Sequence, residues 1–498
     1  MKKKILQIIC IALCLYTVIT CLGACGMLNS DDKESESVTN GGNGDVVDDD
    51  DEVETDENGY VVDSIDRTLN GRKIIILMDT SSQSDIMPDE ATSGKNVIQD
   101  KAYLRRLALE TELGCTFEIQ TAPGEYDNMN DFIVVAEKAG YNNVDIICSF
   151  SLVPSMLQQK GLLSNLKNLQ YPELDKPWWP ESVKQWEHDG ALYYIANNSS
   201  NRVVRAQEVV FANVGMIRDL GLEALDQKVI DYQWTIDLMI QYAKYVNTDT
   251  SLPESERVYG LVSDQFGRMD QFYYGSGLSM MSRNADGEIV LNVFDESAKS
   301  KTTSLVSKLG DIASTPSFFI DNNNKLKIMK ANRTMFMAGY MNMIFELEDG
   351  STYMPLPTPM YDTDQERYYT TPHNSYDVWS VPHTASNKED SALVIEAIAS
   401  SDYREMAPFF YEDKLKMRYS ESALGVEIFD LIRTSTNIDF GRITASSMGI
   451  MEGAFRQCFY SGGTVYNNVY ESQLKEHETA YPTNLALILM TFSKYKNQ

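Results

Sequence analysis

The chain has 498 residues, 72 of them aspartate or glutamate and 43 lysine or arginine, giving a formal net charge of −29 at neutral pH. This acidic balance, with no basic stripe to displace counterions from phosphates and no RNA- or DNA-module motif, argues against nucleic acid as a partner and disfavours anionic ligands. Thirteen acidic residues against Lys33 alone lie between Asp31 and Glu57, so much of the charge sits near one end.

Lys2, Lys3 and Lys4 precede an apolar run from Ile5 to about Leu22. A charged start, an apolar core of this length and small residues at its end make an export signal, and the run is too short and too weakly flanked for a spanning helix. It closes on Leu22-Gly23-Ala24-Cys25-Gly26, which resembles the bacterial lipobox. The resemblance implies removal of residues 1–24, a lipid on Cys25, and an anchor at the extracytoplasmic face of the cell membrane. Cys10, Cys14 and Cys21 leave with the signal, while Cys115, Cys148 and Cys458 remain beside Cys25. Three widely spaced cysteines hold either one disulfide and a spare thiol or three buried thiols, and no pair has zinc-ligand spacing.

From about Met27 to Arg67 the composition shifts to Ser, Gly, Asn, Asp and Glu, including Asp48-Asp49-Asp50-Asp51-Glu52. So little apolar surface cannot offset the entropy of ordering, and residues 25–67 are expected to form a disordered tether. A flexible chain of that length reaches on the order of 35 Å. The acidic run lacks the central glycine and terminal glutamate of a calcium loop, and no metal or cofactor is expected.

Residues 68–498 exceed what one hydrophobic core usually serves, which predicts two lobes. Lys73 to Met78 reads as a buried strand, Val97 to Leu113 as a helix stopped by Gly114, Thr116 to Gln120 as a strand, Phe132 to Ala139 as a helix, and Val144 to Cys148 as a strand. This alternation predicts an α/β fold with a parallel sheet covered by helices. Val209 to Ala212 is the next strand, with Asn213 capping a short helix that ends at Leu220-Gly221. A helix from Thr235 places Ile236, Met239, Ile240 and Ala243 on one face, with Asp237 in its first turn. Asp286-Gly287 marks a hairpin turn, and the chain beyond Asn387 is mostly helical.

Several pieces in this order resemble the extracellular solute-binding proteins of family 1, which feed ABC importers. They are Val144-Asp145-Ile146-Ile147, Gly161-Leu162-Leu163-Ser164-Asn165-Leu166, Asp189-Gly190-Ala191-Leu192-Tyr193-Tyr194-Ile195, Val210-Phe211-Ala212-Asn213 with Asp219-Leu220-Gly221-Leu222, and Gln233-Trp234-Thr235-Ile236-Asp237. The resemblance implies a bilobed periplasmic-binding-protein-like fold of the maltodextrin-binding kind (type II). One lobe would span about 68–195 and 353–376, the other about 200–350 and 380–498, joined by hinge segments. It also implies a monomer that binds a small solute, most plainly a carbohydrate, and delivers it to ABC transporter permease subunits. A tethered ligand sensor or a glycan-capture protein without an importer is the alternative.

In such a fold ligand sits between the lobes, against loops at the carboxyl ends of strands. Those loops supply Ser81 and Ser82 after the first strand, Ser149 and Phe150 after the third, and Asn197 and Asn198 after a strand through Tyr193-Tyr194. An aromatic ring offers a sugar apolar area at low entropic cost, which selects Tyr273, Tyr274 and Tyr340, the last with Asn342 nearby. Tyr340 and Phe440 match positions where the family supplies cleft aromatics. Trp178, Trp179, Trp186, Trp234 and Trp379 are expected in packing roles. There is no G-x-S-x-G elbow, phosphate loop or H-E-x-x-H, and the histidines are only His188, His373, His383 and His477, so no catalytic activity is expected.

Overall fold

A computed structural model describes the chain from Glu54 to Gln498, apart from residues 92, 93, 95, 124, 125, 141, 142, 266, 348–351, 417–422 and 461–465. The export signal, Cys25 and the first part of the expected tether lie outside the described residues.

Two sheets organise the rest. In the first, β1 (Arg72–Asp79), β2 (Cys115–Ala122) and β3 (Ile146–Phe150) are parallel and β11 (Asp377–Ser380) runs antiparallel to β3, in the order β11-β3-β1-β2. The second combines β4 (Glu208–Asn213), β5 (Tyr259–Ser263), β8 (Phe318–Ile320), β9 (Thr334–Tyr340) and β10 (Tyr353–Leu356), in the order β10-β4-β9-β5-β8. The hairpin of β6 (Met281–Arg283) and β7 (Ile289–Leu291) turns through Asp286-Gly287, where Gly287 supplies a φ of 80°. Every residue of β4 is buried, so helices and strands cover both its faces and no polar alternation marks it. Gly260 in β5 allows a neighbouring helix to come close, since a Cβ there would lie 2.3 Å from Ala243 O.

Helix starts follow the capping residues. Asn96 accepts from the amides of Ile98 and Gln99 at the head of Val97–Glu112, Asn213 accepts from Met216 N, and Thr235 accepts from Leu238 N before Ile236–Ala243. The latter helix buries Ile236, Met239, Ile240 and Ala243, the face its spacing predicts. All five predicted packing tryptophans are buried, and Cys115, Cys148 and Cys458 are buried free thiols.

Three expectations need correction. The segment Ala191 to Ile195 is not a strand; it touches its neighbours through the isolated bridges His188↔Ala191 and Ile195↔Trp379. The return to the first lobe comes later than residue 353, because β10 pairs with β4 in the second sheet and only β11 rejoins the first. Residues 380–498 also do not stay in the second lobe. Lys388–Ser401, buried almost all round, packs against Val97–Glu112, and Ala480–Tyr495 packs against Pro154–Gln159, both in the first lobe. Ala423–Thr434, Gly453–Tyr460 and Tyr466–Glu476 pack in the second, on β10 and on Glu296–Ala313. The crossing segments lie side by side: Gln207 bridges Pro372, and Thr370 bridges Thr436.

The expected tether boundary at Arg67 is also too late. Arg67 pairs with Asp390 at 2.8 Å, Asp63 with Arg404 at 3.4 Å, and the Tyr60 ring meets Tyr403 edge-on at 5.5 Å. Composition misjudged these charges because their partners lie more than three hundred residues away. Deleting residues 27–67 is therefore expected to lower the melting temperature by roughly 2–4 °C relative to deleting 27–53, for about 2 kcal/mol of lost contacts. Differential scanning calorimetry of both deletions checks this, and equal melting temperatures would contradict it.

Glu396 sits under the tryptophan pair, accepting from Trp178 Nε1 at 2.9 Å and Trp179 Nε1 at 3.0 Å. Burial pushes its carboxyl up to about 7, although the two indoles and Glu173 N favour the ionised form. Burial, with Glu452 nearby, likewise raises Asp439 to about 7. A raised carboxyl stabilises the fold fully below its unfolded value, and that contribution is lost as pH rises through the folded one. Stability should thus fall by about 2–3 kcal/mol per such group between pH 4.5 and 7.5. Glu396→Gln should flatten the slope in urea titrations across this range, and an unchanged slope would remove Glu396 as its source.

Candidate ligand-binding cleft

Strand ends of both sheets and the crossing segments meet at one junction. On the first-lobe side β1 ends at Asp79, which caps Thr80–Ile86 by accepting from the amides of Ser81 and Ser82. The Ser81 and Ser82 hydroxyls also donate to Asp79, and both accept from Arg202 Nη1, at 3.0 and 2.9 Å. Burial opposes the ionised form of Asp79, but Arg202 and these donors outweigh it and hold the carboxyl below its ordinary value. Arg202 Nη2 continues to Ser375 O at 3.1 Å, so one guanidinium joins the β1 loop to a crossing segment.

Ser149 is buried in β3 and its hydroxyl has no hydrogen-bond partner among the described residues. Phe150 is half-buried at the strand end, opposite Asp377 in the ladder. Burial raises the carboxyl of Asp377, which accepts from Ser200 Oγ at 2.9 Å and Trp379 Nε1 at 3.0 Å. Asn197 is a structural tie: its amide donates to Asp402 at 3.2 Å and its oxygen accepts from Ser199 N at 3.0 Å. Asn198 beside it is half-buried.

On the second-lobe side Tyr340 ends β9 and is paired in register with Glu208 at the start of β4. The Arg268 guanidinium lies 4.5 Å from the Tyr340 ring centroid and donates to Glu208 at 2.9 Å. Lys325 pairs with Asp264, which also lies 3.5 Å from Arg268 Nε. Arg442 Nη2 is 3.5 Å from Glu208, and Arg442 Nε donates to Asn374 Oδ1 at 3.0 Å. Burial raises the Glu208 carboxyl against the pull of Arg442 and Arg268, and burial lowers Lys325 to about 8 although Glu208 favours its charge. The His373 ring stacks near Tyr340 at 6.1 Å. Asn342 accepts from Arg205 Nε at 2.8 Å, and Arg205 Nη1 meets Asp85 at 2.9 Å, so Arg205 joins both lobes.

The other aromatic candidates lie elsewhere. Asp270–Gly275 turns Tyr273 and Tyr274 inward, where Tyr273 packs on Tyr274 and Phe455 and donates to Ser279 O. Tyr274 borders the charge cluster, donating to Glu452 at 2.9 Å. Phe440 is buried edge-on to Phe492 and lines a separate cavity of about 330 Å³ with Gln185, Arg283 and Asp439. Sequence reasoning missed Arg202, Arg205, Glu208, Asp264, Arg268, Lys325 and Arg442. Among the described residues no group of three or more His, Cys, Asp or Glu side chains is placed to hold a metal ion, and no helix is long and apolar enough to cross a membrane.

The junction is thus a hydrogen-bonding surface with a half-buried tyrosine ring, set between two α/β lobes joined by crossing segments. That is the fold of ABC-transporter solute-binding proteins of the maltodextrin-binding kind. Solved structures share it along most of the chain. The galacto-N-biose/lacto-N-biose I-binding protein of the ABC transporter from Bifidobacterium longum, in complex with lacto-N-biose, is 11% identical over 83% of this chain and 98% of its own, with a TM-score of 0.57. The ABC-transporter-associated binding protein from B. animalis subsp. lactis Bl-04, in complex with β-1,6-galactobiose, is 13% identical over 83% of this chain and 99% of its own, with a TM-score of 0.53. UgpB from Mycobacterium tuberculosis, in complex with glycerophosphocholine, is 9% identical over 83% and 99%, with a TM-score of 0.53. No protein-family model and no curated protein matches the sequence.

Proposed function

We propose that the protein is the membrane-anchored, extracytoplasmic substrate-binding component of an ABC importer, a member of solute-binding family 1 that holds a carbohydrate between its lobes. The observation that carries this reading is the junction itself: Arg202 ties Ser81 to Ser375, Arg205 ties Asp85 to Asn342, and the half-buried Tyr340 ring at the end of β9 lies beside His373, so an aromatic ring stands among polar groups of both lobes. Two neighbours of this fold hold disaccharides and a third holds glycerophosphocholine, so the fold leaves the ligand class to the side chains. The lipobox at Leu22 to Cys25 supports a lipid anchor, and several acyl chains at about 0.8 kcal/mol per buried CH₂ make its release slow.

Thermal-shift screening of the full chain against a saccharide library should give a ligand that is recovered intact after incubation. Cells expressing the chain should transfer labelled fatty acid to it, and Cys25→Ala should abolish the label and release the protein from membranes. A cleaved saccharide would replace binding with catalysis, and a labelled, membrane-bound Cys25→Ala variant would remove the anchor.

A further inference from the structure

The net charge disfavours an anionic ligand, but the local arrangement at the junction opposes that expectation. Its carboxylates are withdrawn: the Glu208 and Asp264 side chains are 0% and 1% exposed, whereas that of Lys325 is 15% exposed. Asp85, open to a similar degree, is matched by Arg205 at 2.9 Å. Arg268 and Lys325 flank Tyr340 with Glu208 and Asp264 as their buried partners, while Arg442 shares Glu208 and also faces Asp270, Glu452 and Asp439. The next carboxylates out, Asp270 and Glu452, are engaged by Arg456 and the Tyr274 hydroxyl. Arg442 Nη1 is buried with no hydrogen-bond partner among the described residues, which leaves a guanidinium donor without an acceptor.

Lysine carries three donors, and Lys325 Nζ stands 6.0 Å from the Tyr340 ring centroid. Arg268 and His373 already lie against the Tyr340 ring, so a ligand reaching its exposed part meets the Lys325 ammonium, while the carboxylates of Glu208 and Asp264 are buried away from it. We infer that the ligand carries an anionic oxygen group, a carboxylate or an ester phosphate or sulfate, beside the ring seated at Tyr340, and that Lys325 meets this group while Arg268 positions the tyrosine. This rests on the reading of the junction as a carbohydrate site.

The test is calorimetry on the full chain in detergent with three matched pairs: galactobiose and digalacturonate, glucose and glucose 6-phosphate, N-acetylglucosamine and its 6-sulfate. In at least one pair the acidic member should bind tenfold or more tightly than its neutral match, and the pair that responds identifies the anionic group. The ratio should fall at least fivefold in Lys325→Met and persist in Lys325→Arg. The ratio in the unaltered chain decides the ligand class even if Lys325→Met folds poorly once Asp264 has lost its lysine. Neutral members binding as tightly as acidic ones would overturn the inference and leave the carbohydrate reading standing. An unchanged ratio in a folded Lys325→Met would overturn the role of Lys325, and no binding by any saccharide would overturn both readings.

Discussion

Glu208→Ala is expected to destabilise the protein by about 3–5 kcal/mol, the effect of removing one partner from a buried charge network. Glu208 is the acceptor for Arg268 at 2.9 Å and lies 3.5 Å from Arg442, and both guanidinium groups are buried with it. Without the carboxylate Arg268 keeps Asp264 at 3.5 Å, while Arg442 keeps Asn374 as a neutral acceptor. Glu208→Gln retains the volume and one acceptor, so its effect should be smaller, about 1–3 kcal/mol. Because an uncompensated guanidinium causes the loss, Glu208→Ala combined with Arg268→Met should be more stable than Glu208→Ala alone. Urea denaturation of the three variants measures this ordering. A Glu208→Ala variant within 1 kcal/mol of the parent would mean that water takes the place of the carboxylate.

The difference between what could be read from the sequence and what could not follows from the range over which each feature is encoded. β1, β2 and the helices at Val97 and Ile236 announce themselves locally, through apolar periodicity, the stop at Gly114 and the acidic first turn at Asp237. The charge cluster has no such signature. Glu208 stands one residue before the apolar run Val209 to Ala212, and its partners Arg268 and Arg442 lie 60 and 234 residues away. The strand-end positions of Tyr340 and Phe150 were legible because apolar runs mark where those strands stop, and both side chains are half-buried there. Tyr273 and Tyr274 misled because a six-residue helix decides which way its rings point, and this one turns them into the core. The late helices misled for a related reason. Lys388–Ser401 reads simply as helical, while its choice of lobe rests on contacts with Val97–Glu112, almost three hundred residues earlier.

Tyr340→Ala and Phe150→Ala should each weaken ligand binding by roughly 1–3 kcal/mol, the usual loss for an aromatic anchor, without unfolding the protein. The two residues end strands of different sheets, Tyr340 in β9 and Phe150 in β3, and each is half-buried where those sheets face the crossing segments. A ligand favours closure only through contacts absent from the open state, so groups on both lobes must touch it. Arg205 adds a contact of the protein's own, since it holds Asp85 of the first lobe and Asn342 of the second; opening the lobes breaks at least one of these bonds. Small-angle scattering should therefore show compaction when a tight ligand is added to the parent chain, and Arg205→Ala should need more ligand to reach the same compact form. Scattering unchanged by a ligand that calorimetry shows to bind would rule out the hinge. Full affinity in both aromatic variants would move the binding site away from this junction.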